Sequence, residues 1–284
     1  MLEFSHFDRR RYPTVSVREG YREWLPSYET TVEDEMDLVL LGALESVPWT
    51  AVEHAADLGC GTGRTGAWLR ARGVARLDGI DLTPEMLAIA RTRGIYDHLV
   101  EADVAATGLA GGIYDLVTTC LVDEHLRDLR PLYREASRLV RPGGTHVLIG
   151  DHPHFIMTAG MPTHFDRNPG EPVAIETYVH LLSDHVTAAR AVDLWLIEMR
   201  ERLVDDRWIA LKPRWEQYRD HPVSFAMVWQ KGVIERHREP DAAVASPALL
   251  PPTAAWRSRA RRARAPAQAP GSTAAVSWRA IRCA

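Results

Sequence analysis

Three glycines, Gly59, Gly61 and Gly63, alternate directly after the run Val52 to Leu58, which is apolar apart from Glu53, His54 and Asp57. Two carboxylates bracket them: Asp57 stands two residues before Gly59, and Asp81 closes Leu77-Asp78-Gly79-Ile80-Asp81. Glycine takes positive φ without strain and lets a ligand lie against bare backbone. A helix opening at Arg64 adds unpaired N–H groups at the same place. An acidic residue about 20 positions on, at the end of the next strand, is placed to accept from both hydroxyls of a ribose. Together these residues describe a nucleoside site.

The stretch Gly61-Thr62-Gly63-Arg64-Thr65-Gly66 also fits Gly-x-Gly-x-x-Gly, a weak pointer to a nicotinamide dinucleotide. Asp57 argues otherwise, because a carboxylate repels a pyrophosphate and attracts a cationic amino group. S-adenosylmethionine offers an ammonium, a sulfonium and an adenosine, with no phosphate. An NAD(P)-dependent oxidoreductase and a non-catalytic S-adenosylmethionine-binding module stand as the alternatives.

Four further segments follow in order. Asp81-Leu82-Thr83-Pro84-Glu85-Met86-Leu87 sets proline at a helix start. Glu101-Ala102-Asp103-Val104 follows a short apolar run. Tyr114 to Cys120 reads as a buried strand, and Leu139 to Ile149 as a helix end, a turn over Arg141-Pro142-Gly143-Gly144 and another strand. This succession resembles the class I S-adenosylmethionine-dependent methyltransferases, in the small-molecule branch called methyltransferase type 11, over roughly residues 12 to 231. The resemblance implies an α/β fold: a Rossmann-like doubly wound sheet of about seven strands, mostly parallel, with a final antiparallel hairpin and added N-terminal helices. It also implies roles. Asp57, Gly59, Gly61 and Gly63 would hold the methionine end and Asp81 the ribose. Leu82 and Met86 would pack on the adenine, with Asp103 and Val104 at its edge. Cys120 and Leu121 would skirt the reactive methyl, while Tyr21 and Tyr28 close over the cofactor from a preceding helix.

An in-line displacement on a sulfonium gains most of its acceleration from alignment. A base is needed only for an alcohol, a phenol or a protonated amine. His125, in Asp123-Glu124-His125 just after the fourth strand, titrates near neutral pH and is the candidate base, with Asp123 beside it. His152, in Asp151-His152-Pro153-His154, leaves the fifth strand toward the same face, since ligands sit beyond the carboxyl ends of parallel strands. Plain structural roles compete: His125 as a helix-start residue, and Tyr21 and Tyr28 as packing. No Cys-x-x-Cys or His-Glu-x-x-His occurs, so no metal is expected.

The spacing of Tyr21, Trp24, Leu25 and Tyr28 predicts an aromatic helical face, and Val32 to Leu44 an apolar-rich helix. Residues 1–50 then form an N-terminal helical cover and 51–231 the catalytic domain, with an insertion over the acceptor around 151–220. Within it, 151–173 reads as irregular, Ser183 to Val192 as a helix, and Trp195 to Val204 and Val223 to Trp229 as late strands. Lys212 to Tyr218 reads as a lid-like helix or turn. Residues 232–284, rich in Ala, Arg and Pro, carry roughly +6 against near −10 for the rest and are expected to be disordered.

The acidic body and the lack of an Asn/Asp-Pro-Pro-aromatic tetrad after the fourth strand disfavour nucleic acid. A small-molecule acceptor, methylated at oxygen or nitrogen, is the expected partner. At 284 residues, 46% hydrophobic and 25% charged, the chain suits one core-forming domain with additions. It has no apolar run of spanning length, no secretory signal and only three cysteines, so a cytoplasmic setting is expected. Nothing in the sequence indicates the oligomeric state.

Overall fold

The computed structural model describes residues 2–32 and 36–232, so the basic stretch expected to be disordered lies, save Gly232, outside the described residues. Seven strands form the main sheet: β1 His54–Leu58, β2 Arg76–Asp81, β3 His98–Glu101, β4 Tyr114–Cys120, β5 Val140–Asp151, β6 Leu194–Leu203 and β7 Pro222–Lys231. Their order is β6-β7-β5-β4-β1-β2-β3. The pairs β1–β2, β1–β4, β2–β3 and β4–β5 are parallel. Strand β7 runs antiparallel to both β5 and β6. This is the expected doubly wound sheet with its closing hairpin. The direction of winding reverses between β1 and β4, and a crevice opens at the carboxyl ends of such a pair.

Alternation along the strands sorts side chains to two faces. Leu148 of β5 and Met227 of β7 join one apolar cluster, packed by α5 (Leu129–Leu139) and α7 (Leu182–Arg190). Their neighbours Val147, Ile149, Ala226 and Val228 join the other, packed by α2 (Leu38–Ala43) and α3 (Arg64–Ala71). Helix α5 buries Leu129, Leu132, Tyr133, Ala136 and Leu139, one helical stripe, and Asp128 caps it by accepting from the Arg130 N–H.

Three expectations need correcting. The helix expected over Val32 to Leu44 is the shorter α2, because Asp37 caps it at Leu38 by accepting that residue's N–H. The glycine turn expected at Arg141 to Gly144 does not separate a helix from a strand but lies inside the twelve-residue β5. Its surplus residues are taken up by a register shift: Tyr114 pairs with Val140, but Leu116 pairs with Thr145. Gly143 accommodates this at φ 76°. The segment 151–173 is more regular than expected. It contains α6 (Pro153–Ala159) and contributes His164–Asp166 and the start of Pro172–Ile175 to a small three-stranded sheet with Thr14–Val15.

That small sheet seats α1 (Val17–Thr31), whose Gly20 approaches so closely that a Cβ there would lie 2.6 Å from Ile175. Ion pairs ring the helix: Glu23 with Arg167 (2.6 Å), Glu29 with Arg93 (2.8 Å) and Arg18 with Glu101 (2.8 Å). Among the described residues no helix is long and apolar enough to cross a membrane.

Candidate active site

The three glycines sit at the carboxyl end of β1, at φ 72°, 52° and 93° for Gly59, Gly61 and Gly63. The Gly59 and Cys60 N–H groups donate to the Ile80 carbonyl at 2.8 and 2.9 Å, tying the loop to β2. The Gly61 N–H donates to one oxygen of Asp81 (2.8 Å), and the Thr83 N–H donates to the other (2.8 Å). Each carboxylate oxygen keeps a further lone pair for a ligand. Around the missing Cβ of Gly61 the nearest atom is the Tyr28 hydroxyl, 4.0 Å off, so any side chain there would enter the space beneath α1. A Gly61→Val variant is expected to lose at least tenfold in affinity for S-adenosylhomocysteine. Strain at a left-handed φ adds about 1–2 kcal/mol of destabilisation. Titration calorimetry and thermal melting read the two effects separately.

A cavity lies over this loop. Gly59, Gly61 and Asp81 line its floor, with Leu82 and Met86 to one side and Asp103 and Val104 beyond them. Cys120, Leu121 and His125 close it from the end of β4, and Tyr21 and Tyr28 from α1. The sequence-derived candidates therefore converge on one chamber, with four exceptions. Asp57 does not line it. Its carboxyl is buried behind the loop, where Tyr96 Oη (2.7 Å) and Thr118 Oγ1 (2.8 Å) donate to its two oxygens. Burial raises its pKa to about 6, against the pull of those two donors. Gly63 does not line it either; it is the N-cap of α3.

The third and fourth exceptions are two of the three base candidates. His152 caps α6, with Nδ1 accepting from the His154 N–H (3.1 Å) and Nε2 against Glu201 (3.0 Å). Both ring nitrogens are thus engaged away from the chamber. Asp123 is buried beneath Gly150, its carboxylate 3.4 Å from His185 Nε2. Only His125 faces the cavity.

Sequence reasoning missed Arg64 and Asp37, which line the same chamber. Arg64 reaches Asp37 with both terminal nitrogens, at 3.1 and 3.2 Å. A signal for Arg64 was available. A cation in the first turn of a helix opposes the helix dipole, so its presence there points to an anion nearby. Asp37 carried no such signal, being outside every motif. With three carboxylates (Asp37, Asp81, Asp103) and a single guanidinium, the wall suits a cationic nucleoside and repels a pyrophosphate.

A second, larger groove adjoins the first, about 800 Å³ against about 220 Å³. Tyr21, Tyr28 and Leu121 belong to both. Leu121 adopts φ 54°, an uncommon setting for a side chain of this size, at the turn that separates the two spaces. At the same wall the His125 Nδ1 donates to the Glu176 carbonyl (2.7 Å), which leaves Nε2 to accept from the Tyr21 hydroxyl (2.9 Å). Burial lowers the His125 pKa and keeps the ring neutral. Burial, then Glu124, pushes the Tyr21 phenol well up, so it holds its proton. Among the described residues no group of three or more His, Cys, Asp or Glu side chains is arranged to hold a metal ion.

A methyltransferase-domain family model matches residues 56–148. Trans-aconitate 2-methyltransferase of Shigella flexneri is 30% identical over 62% of this chain and 71% of its own length. The chain is a class I S-adenosylmethionine-dependent methyltransferase. Malonyl-[acyl-carrier protein] O-methyltransferase of Enterobacter lignolyticus is 38% identical, but the match spans 34% of this chain and 39% of that enzyme. An S-adenosylmethionine-dependent methyltransferase from Mesorhizobium loti shares the fold, with a TM-score of 0.55 at 21% identity over 69% of this chain and 98% of that one. This methyltransferase therefore uses the cofactor that the acid-lined cavity fits, and the dinucleotide alternative falls away.

Proposed function

We propose that this methyltransferase transfers a methyl group to oxygen or nitrogen of a small molecule held in the larger groove. The observation that carries the reading is the common wall, Tyr21, Tyr28 and Leu121, where the two spaces meet. On this reading Asp81 holds the ribose, Asp103 and Val104 border the adenine, and the Gly59–Gly61 backbone lies under the methionine portion, with Arg64 near its carboxylate. When bound, the cofactor supplies a methyl group on a positively charged sulfur.

The chain's own work is to align, exclude water and move a proton. The walls of the two spaces set the angle of approach, which is where most of the acceleration arises. For a hydroxyl acceptor, the Tyr21 oxygen accepts the acceptor's proton while its own passes to His125 Nε2. His125 then carries the positive charge, with Glu124 Oε1 3.6 Å away to stabilise it. The free, buried Cys60 and Cys120 fit a reducing, cytoplasmic setting. Residues 1–50 and the insertion around 151–220 would act together as the cover over the acceptor.

A screen of small hydroxyl and amine compounds with methyl-labelled cofactor tests this. Transfer to one of these classes is expected. With a hydroxyl acceptor, Tyr21→Phe and His125→Ala should each lower kcat ten- to a hundredfold, at the low end of proton-transfer effects. Cofactor affinity should stay within threefold for Tyr21→Phe. Unchanged kcat in both variants would leave alignment as the sole contribution and discard the relay.

A further inference from the structure

The inner end of the larger groove carries two carboxyl groups that the relay above does not use as bases. Glu124 lies in the 3-10 turn Asp123–His125 and Asp151 ends β5; both line the groove. Glu124 is 3% exposed, and its Oε2 has no hydrogen-bond partner. Its Oε1, 3.6 Å from His125 Nε2, sets it beside the wall shared with the cofactor cavity. The groove's other surfaces are aromatic. Trp24 stacks on Phe165 (centroids 6.0 Å apart, 12° between planes) and Phe155 on Trp215 (4.7 Å, 16°), with Trp208 beside Trp215. Of the groove's cationic side chains, Arg167 is engaged by Glu23 at 2.6 Å, and Lys212 Nζ lies 5.8 Å from the Trp215 ring.

We infer that the acceptor is a basic amine on a flat apolar body, its nitrogen held between Glu124 and Asp151 at the shared wall. The inference rests on the proposed reading of the groove as the acceptor site and narrows it from oxygen or nitrogen to nitrogen. Three comparisons favour the amine. A carboxylate acceptor would meet two like groups at the point of transfer, while the guanidinium that lines the groove, Arg167, is paired with Glu23. A hydroxyl acceptor is served by the Tyr21–His125 relay with Glu124 beside it, and leaves Asp151 without a task. An ammonium satisfies both carboxyls and gains attraction from the aromatic faces that lead to them.

Burial pushes both carboxyls up, helped by Asp151 and Asp123 at Glu124 and by the neighbouring Asp123 at Asp151, which reaches about 7; the empty site thus holds a proton that an arriving cation displaces. The chemistry balances. The ammonium gives one proton to the Glu124–Asp151 pair. The freed nitrogen lone pair forms the N–C bond as the C–S bond breaks, with that bonding pair remaining on sulfur. The products are a methylated ammonium and neutral S-adenosylhomocysteine.

Three probes with one skeleton test the inference: tryptamine, tryptophol and indole-3-propionate, titrated calorimetrically into protein saturated with S-adenosylhomocysteine. Tryptamine is expected to bind at least tenfold more tightly than tryptophol, and indole-3-propionate more weakly still. In a Glu124→Gln/Asp151→Asn double variant, whose folding is checked by its affinity for S-adenosylhomocysteine, the preference should vanish. Equal or tighter binding of tryptophol or indole-3-propionate overturns the inference. So does a preference that survives in the double variant, or a failure of all three probes to bind. If the double variant does not fold, the wild-type series decides alone. Methyl-labelled cofactor separates the two readings. Transfer to hydroxyl or carboxylate compounds but not to amines sinks the amine assignment alone. Tight tryptamine binding with no transfer to any acceptor sinks the groove as acceptor site.

Discussion

Replacing Asp81 with alanine is expected to weaken S-adenosylhomocysteine binding by a hundredfold or more. A hydrogen bond to a charged group contributes about 1.5–3 kcal/mol, and a ribose offers two hydroxyls to this carboxylate. Losing ~3 kcal/mol corresponds to just over a hundredfold in Kd. The same carboxylate also receives the Gly61 and Thr83 N–H groups, so alanine unfastens the glycine loop from β2 as well. Asp81→Asn keeps the shape and one acceptor oxygen, and should cost nearer tenfold. Titration calorimetry distinguishes the cases. An alanine variant with wild-type affinity would remove Asp81 from the binding site.

Replacing Asp57 with asparagine should remove one site's contribution to the pH dependence of stability. The folded-state pKa of about 6 lies above the ordinary 3.8, so the folded chain binds more protons between those values. Unfolding free energy therefore falls as pH rises from about 4 to 6, by up to ~3 kcal/mol, and the penalty is complete above that window. Below pH 4 the carboxyl is protonated in both states and the penalty is absent. Asparagine carries no charge at any pH, so the variant should be more stable than wild type at pH 7.5 and gain nothing at pH 4. Some of that gain is lost where the amide serves Tyr96 and Thr118 less well. Asp151, raised to about 7 in the same direction, keeps part of the slope in the variant. Urea unfolding of both proteins at the two pH values reads the difference; parallel behaviour would contradict the burial of a charged Asp57.

Local chemistry was legible where the chain itself dictates geometry. The glycine spacing, the apolar runs of β1 and β4 and the proline opening the helix at Pro84 each set a backbone conformation. The crevice at the strand reversal then follows from handedness and winding. What the sequence concealed depends on partners distant along the chain. Asp57 sits in the expected motif, yet Tyr96 and Thr118 claim its oxygens. His152 leaves β5 on the expected side, yet Pro153 starts a helix at once and turns the imidazole into its cap. Arg64 and Asp37 meet across 27 positions, and no periodicity encodes that pairing. The turn at Gly143 was legible, but its setting was not, because β4 pairs with the chain on both sides of it and so keeps it as a bulge within β5.

Helix α1 walls both spaces and is held in two ways: Val17, Tyr21 and Trp24 pack on Phe165, Val173 and Ile175, and exposed or half-exposed charge pairs ring its outer side. Such pairs contribute at most about 1 kcal/mol each and fade as ions accumulate around them. The rim of this roof is therefore its least durable part, and the apolar seat beneath its most durable. Added salt would fray that rim while the seat under α1 holds, so ligand affinity should answer to ionic strength only weakly.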